Sequence, residues 1–338
     1  MLCAGIVLLC CDMFLVGSSV ILPSLKGFTM IVVLAGGVGA AKFLEGVVQV
    51  VSPADVTAIV NTGDDMTLHG LRITPDMDIV TCTLANLIDR EQGWGIAGDT
   101  TECMTWMGKL GAPTWFKLGD RDLALHIYRT ALLAQGMSLS AIADQFRRAL
   151  GVATRLLPMS DQPVETYIRT PEGSMHFEEY FVQRRTQIEV LGVAFQGAEA
   201  ATPAPHVLEA IRDAKVVLIA PSNPIVSVGT ILAVPGIRAA LEATRAPVVA
   251  VSPIVGGAAI KGPAAPLMRA MGYEVSALGV AHCYAGLIDA LVIDHVDQPL
   301  AASIRELGIR VSVTDTIMRG PTEKRALAEV ALALGAIE

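Results

Sequence analysis

The chain has 338 residues, 52% hydrophobic and 17% charged, which is enough apolar sequence for a large buried core and too much for a disordered chain. Its formal charge of −8 argues against a general nucleic-acid surface and leaves room only for a local basic pocket. The six cysteines (Cys3, Cys10, Cys11, Cys82, Cys103 and Cys283) contain no CxxC pair and no regular spacing, so they suggest neither a zinc site nor a disulfide framework and fit a reducing cytoplasm.

Residues 1–29 differ in kind from the rest of the chain. Their apolar run is broken by Asp12 and by Gly17-Ser18-Ser19, and they lack a basic leader and a small-x-small cleavage site. We expect an extension outside the fold, produced by an upstream start; a signal-like or anchoring segment is the alternative. Met30-Ile31-Val32-Val33-Leu34-Ala35 then reads as a buried strand that enters Gly36-Gly37-Val38-Gly39 and a helix over 40–51. This strand, glycine loop, helix arrangement suits phosphate, because glycines admit close backbone approach and a helix start offers unpaired N–H groups.

A second strand over 56–60 ends at Asn61-Thr62-Gly63-Asp64-Asp65, followed by Pro75-Asp76-Met77-Asp78. Ligands of open α/β sheets bind at the carboxyl ends of strands, so these loops should meet on one rim. The pattern is helical over 76–88, 100–110, 122–134 and 138–150. Strands over 164–169 and 175–182, joined through Pro171-Glu172-Gly173, read as a hairpin of structural role. The α/β pattern resumes with a helix over 205–213, strands over 215–220 and 247–251, units near 290–293 and 309–313, and a final helix over 322–334. We expect an α/β, Rossmann-like three-layer core with a mostly parallel sheet. It would form a single catalytic domain over 30–338, with an insertion at about 79–185 made of helices and the hairpin.

The opening loop fails two familiar templates. A P-loop needs Gly-Lys-Ser/Thr, but Lys42 stands between Ala41 and Phe43. A dinucleotide fingerprint needs a small residue where Lys42 stands and an acid where Asn61 ends the second strand. Asp64, Asp65, Asp76 and Asp78 suit Mg²⁺, which takes one or two carboxylates plus substrate phosphate oxygens, or a base for a hydroxyl nucleophile. Lys117-Leu118-Gly119-Asp120-Arg121-Asp122, beside Trp115-Phe116, suits a flat anionic ligand, although Asp120 or Asp122 would also cap the next helix. Ser222-Asn223-Pro224 and Ser252-Pro253-Ile254 both follow buried strands and so fall on the same rim. The histidines show no metal-ligand spacing.

Together, Leu34 to Gly39, Asn61 to Asp65, Pro75 to Asp78, Leu118 to Asp122, Leu157-Pro158-Met159-Ser160-Asp161, Met175-His176-Phe177, Ala220 to Pro224 and Ser252 to Ile254 resemble, in order, the 2-phospho-L-lactate transferase family of coenzyme F420 biosynthesis. The resemblance runs from Met30 to the C-terminus. It implies a Mg²⁺-dependent cytoplasmic enzyme, plausible as a homodimer, with small-molecule substrates and neither nucleic-acid nor membrane partners. The hydroxyl of the deazaflavin Fo would attack the phosphorus of a guanylylated three-carbon acid (phospholactate or phosphoenolpyruvate) and release GMP. By the same resemblance, Asp78 and Lys117 would contact Fo. Asp64 would be metal-associated, with Asp78 beside it as the second acid, and either aspartate would serve as the base. Gly36, Gly37, Gly39, Ser222, Asn223 and Ser252 would line the guanosine diphosphate side. Two other readings compete: a non-catalytic nucleotide-sugar-binding regulator of the gluconeogenesis-factor type, and a nucleotidyltransferase, whose opening glycine loop is similar but is followed by an Arg.

Overall fold

The structure, a computed structural model, describes residues 29–336; the expected extension lies almost wholly outside them. In chain order the strands are β1 (Ile31–Ala35), β2 (Val56–Val60), β3 (Met66–Leu68), β4 (Leu71–Ile73), β5 (Arg155–Pro158), β6 (Glu165–Thr170), β7 (Gly173–His176), β8 (Gly192–Gln196), β9 (Val216–Ile219), β10 (Val248–Val251), β11 (Ile254–Val255), β12 (Ala258–Ala259), β13 (Ala290–Asp294) and β14 (Arg310–Thr314). Seven of them form one parallel sheet in the order β5-β2-β1-β9-β10-β13-β14. This is a doubly wound α/β fold, as the sequence implied. The chain winds outward from β1 in one direction, then crosses back to β9 and continues in the other, so the strand order reverses between β1 and β9.

The central strands read as continuous apolar runs because both faces of the sheet are covered. Val32 and Leu34 of β1 pack into one core with Val217, Ile219 and Leu291. Ile31, Val33 and Ala35 pack into a second, with Phe43, Leu44, Leu327 and Leu332. Two apolar cores separated by one sheet give the three layers.

Helix α1 (Gly37–Val50) starts three residues earlier than periodicity suggested, directly after the extended Gly36. It packs against the C-terminal helix Pro321–Gly335 so closely that a Cβ on Gly46 would lie 2.1 Å from the carbonyl oxygen of Lys324. Helices α2 (Pro75–Leu84), α3 (Glu102–Lys109), α4 (Asp120–Ala134) and α5 (Leu139–Ala149) follow β2. The stretch 79–185 is interrupted by β5, which joins the central sheet beside β2, so the helical layer and the hairpin are separate additions.

Three features differ from the sequence reading. The β3–β4 hairpin was not expected; it turns on His69 and Gly70, both at positive φ (52° and 76°), the backbone a two-residue hairpin demands. The 164–182 hairpin acquires a third strand, β8, on the far side of β6. Its second strand ends at His176, and Glu179–Gln183 is a wide helical turn rather than strand. Alternation through Met175 and Phe177 mimicked a longer strand, whereas Phe177 and Phe181 stack 5.7 Å apart at helical spacing.

A glycine in a helix interior is normally improved by alanine, by about 1 kcal/mol. At Gly46 the facing backbone carbonyl decides the sign. Gly46→Ala is expected to destabilise by about 1–3 kcal/mol, read as a lower thermal midpoint; an unchanged or higher midpoint would show that the two helices separate freely.

Candidate active site

The carboxyl ends of β1 and β9 diverge at the reversal point, and a cavity of about 930 Å³ opens there. Its floor is the glycine loop. Gly36 N–H donates to the Ser222 hydroxyl at 3.3 Å, and that hydroxyl donates back to the Gly36 carbonyl at 2.9 Å. The loop after β1 is thereby clasped to the loop after β9. A Cβ on Gly39 would lie 2.3 Å from the Pro221 carbonyl oxygen, so only glycine lets the two loops approach this closely. Gly37 has φ of +69° and opens α1.

One wall is acidic. Asn61, at the end of β2, accepts from Gly63 N–H at 2.8 Å and donates through Nδ2 to Asp76 at 2.9 Å. Asp76 also accepts from the Gly37 backbone, so a carboxylate faces the start of α1. Burial pushes Asp76 up to about 6 against both hydrogen bonds. Asp64 is held well above the usual carboxylate range by burial, then by the charges of Asp76, Glu178 and Asp65. Its Oδ1 is buried without a hydrogen-bond partner. Burial and then Asp76 push Glu178 up to about 8. Among the described residues, none of these three cavity-lining carboxylates has an ion-pair partner.

Asp78 belongs to a different cluster. Arg129, itself buried, grips Asp78 Oδ1, and Asp78 Oδ2 lies 3.5 Å from His126 Nδ1 and 3.4 Å from the Thr74 hydroxyl. Burial pushes the His126 imidazole down to about 4, so it is neutral at neutral pH. The cavity walls near this cluster are aromatic: Trp94, Trp115, Phe116, Phe177 and Phe181. Lys117 lies in the same wall, its Nζ 5.7 Å from the Trp94 ring centre.

Of the residues expected at the site, Gly36, Gly37, Gly39, Asp64, Asp78, Lys117, Ser222 and Asn223 all line this cavity. Ser222 reaches it as the clasp already described. Asn223 Oδ1 accepts from Ile225 and Val226 and caps the segment after it. Ser252 does not line the cavity: it is buried, and its hydroxyl closes a local turn on Ile254, leaving Pro253 as the residue at the wall. The charged knot is threaded crosswise. Asp120 caps α3 by accepting from Glu102 and Cys103, while Asp99 serves the start of α4 by accepting from Arg121 and Asp122. Glu178, His126, Arg129 and Lys261 were missed. Glu178 was hidden in an apparent strand; the signal for His126 and Arg129 was their i, i+3 spacing on a helix just after the knot.

Among the described residues, no three His, Cys, Asp or Glu side chains converge as a ready metal cage. Mg²⁺ does not require one, since one or two carboxylates plus substrate phosphates hold it. Asp64 and Asp76 are hard oxygen donors, and the unpartnered Asp64 Oδ1 is the kind of group a cation would satisfy.

A glycine loop clasped at the switch point, acids opposite it and an aromatic chamber alongside define an α/β enzyme that works on a phosphorylated small molecule. The model of the family described as 2-phospho-L-lactate transferase CofD matches residues 31–325, and the chain belongs to that family. It is 44% identical over 310 residues to the phosphoenolpyruvate transferase of Streptomyces griseus, covering 90% of this chain and 98% of that protein. It is 41% identical over 303 residues to the 2-phospho-L-lactate transferase of Methanosarcina acetivorans, again covering 90% and 98%. A crystal structure of protein BH3568 from Bacillus halodurans shares the fold, with a TM-score of 0.61 and 18% identity over 90% of this chain and 99% of that one. The chain is therefore a transferase of the 2-phospho-L-lactate transferase type, acting in coenzyme F420 biosynthesis on small-molecule substrates.

Protonated Glu178 stabilises the fold fully below its ordinary pKa near 4.5, and this contribution is lost as pH rises through about 8. Without Mg²⁺ or nucleotide, Glu178→Gln is expected to melt like the parent at pH 5 and about 2–4 °C higher at pH 9. Parallel melting curves across that range would contradict the carboxylate cluster.

Proposed function

We propose that this enzyme transfers a phospho-three-carbon-acid group from its guanosine diphosphate conjugate to the hydroxyl of Fo, releasing GMP, with Mg²⁺ as cofactor. The observation that carries the reading is the two-sided cavity. Backbone and helix start suit a diphosphate on one side, while aromatic walls with Lys117 and Asp78 suit a flat, polar-edged acceptor on the other. The reaction forms a bond from the acceptor oxygen to phosphorus and breaks the bond from that phosphorus to the GMP oxygen, so it depends on in-line positioning and charge neutralisation.

Mg²⁺ would be held by Asp64, with Asp76 rather than Asp78 as the second acid, because Arg129 already neutralises Asp78. When bound, it supplies neutralisation of the phosphoryl oxygens. Asp78 is fixed by Arg129 through Oδ1, and Oδ2, which accepts from the Thr74 hydroxyl, has a second lone pair to accept the attacking hydroxyl's hydrogen bond and then its proton. His126, buried and neutral, adds no charge to that contact. Gly36, Gly37, Gly39 and Asn223 line the guanosine diphosphate side, and Ser222 sets the loop that presents them.

The aromatic rings that line the cavity, Trp94 with Lys117 beside it and the stacked Phe177 and Phe181, are the surfaces available to the deazaflavin ring. Among the described residues no single helix is long and apolar enough to cross a membrane. The cytoplasm is the compartment we propose, and a homodimer is the proposed assembly. The regulator and nucleotidyltransferase readings are not favoured by any feature of the cavity.

Incubation with Fo, Mg²⁺ and guanylylated phospholactate or phosphoenolpyruvate should give GMP and one Fo phosphodiester, whose mass names the acid. Asp64→Asn should reduce turnover by at least about 100-fold and raise the Mg²⁺ requirement. Asp78→Asn should reduce turnover with the Mg²⁺ requirement unchanged. Near-native turnover in either variant would sink that residue's role, and absence of GMP release with every donor would sink the reaction.

A further inference from the structure

Besides Lys117, two further lysines line the cavity. Lys42 stands on the second turn of α1, just behind the glycine loop, and Lys261 on the loop after β12; both line the cavity. Among the described residues neither lysine has an ion-pair partner. The acid nearest to Lys42 on its own helix is Glu45, and it is already engaged by Lys324 at 2.6 Å and by Arg90 at 2.9 Å. Burial holds the Lys42 ammonium below its ordinary range, followed by the charges of Lys261 and Lys324, with Glu45 opposing. The Lys261 ammonium lies 3.3 Å from where a Cβ on Gly93 would stand, so the bare backbone of the loop around Gly93 leaves it room at the cavity edge. The same Gly93 Cβ position is 3.8 Å from Val38 on the first turn of α1, so Lys261 stands near the helix start, and two lysines on one cavity there lower the energy of a site holding an anion.

We propose that Lys42 and Lys261 form a paired clamp for the diphosphate of the nucleotide donor. The clamp deepens the reading of the cavity as a guanosine diphosphate site and rests on it. Two ammonium groups supplied by separate elements match two adjacent phosphates, and their mutual repulsion is relieved only when a ligand of at least two negative charges lies between them. Asp64 and Asp76 would meet the same phosphates only through a bound cation, so the direct contacts fall to the lysines.

The test is calorimetric titration of the full chain with GDP and with inorganic pyrophosphate at low and high salt, for the parent, Lys42→Met, Lys261→Met and the double variant. Each single change should weaken GDP binding at least tenfold and the double change at least a hundredfold. The salt dependence of binding should flatten in step, because fewer charges are matched. Lys261→Arg should restore most of the affinity, and melting curves should confirm folded protein. Parental affinity for GDP and pyrophosphate in the double variant would overturn the clamp, as would failure of the parent to bind pyrophosphate. Transfer to Fo, measured on the same preparations, separates the two claims. Lysine-dependent GDP binding without an Fo product would keep the clamp and remove the transferase reaction; product formation at parental donor KM in the double variant would remove the clamp and keep the reaction.

Discussion

The clasp between Gly36 and Ser222 is the contact on which the site depends. A parallel sheet that reverses direction between β1 and β9 opens a crevice there, because the loops after the two strands lead to opposite faces. Left alone, that crevice would vary in width with every movement of either loop. One buried hydroxyl, donating to and accepting from the same residue, fixes the spacing. The glycines on one side and Pro221 on the other then set how close backbone can come to a ligand.

Around that fixed floor the charges are sorted by wall. Asp64, Asp76 and Glu178 are buried together and resist ionisation, while Lys42 and Lys261 are brought together with no acid paired to either. Each group has like-charged neighbours, and among the described residues no ion pair joins the two groups. Such an arrangement costs folding energy and stores a preference for a ligand that carries both a cation and clustered negative charge. Asp78 is the exception: Arg129 is bound to it and matches its charge without a ligand.

Much of the fold was legible because the central strands obey a simple rule. Runs such as Ile31 to Ala35 and Val56 to Val60 are apolar at nearly every position because each face meets a core. The site was legible where composition is unusual, as in the glycine loop and the acids after β2. It was not legible where function depends on which way a side chain points. Ser252 has the same position after a strand as Ser222, yet its hydroxyl turns back on Ile254. Asp64 and Asp78 look equivalent in sequence, but Asp64 is buried among acids while Arg129 arrives from α4 to pair with Asp78. Glu178 was lost because alternation cannot reveal where a strand gives way to a wide helical turn.

Ser222 closes the clasp on a residue 186 positions earlier in the chain. Between the two lie the helix that carries Asp78, the loop that carries Lys117 and the three-stranded sheet that leads to Glu178, so these parts must fold as long loops whose ends have not yet met. Closing such loops is slow, and the local contacts within them cannot define the crevice. β1 can pair with β2 early, but the final shape of the glycine loop, set by the clasp to Ser222, requires β9 to be made and docked beside β1.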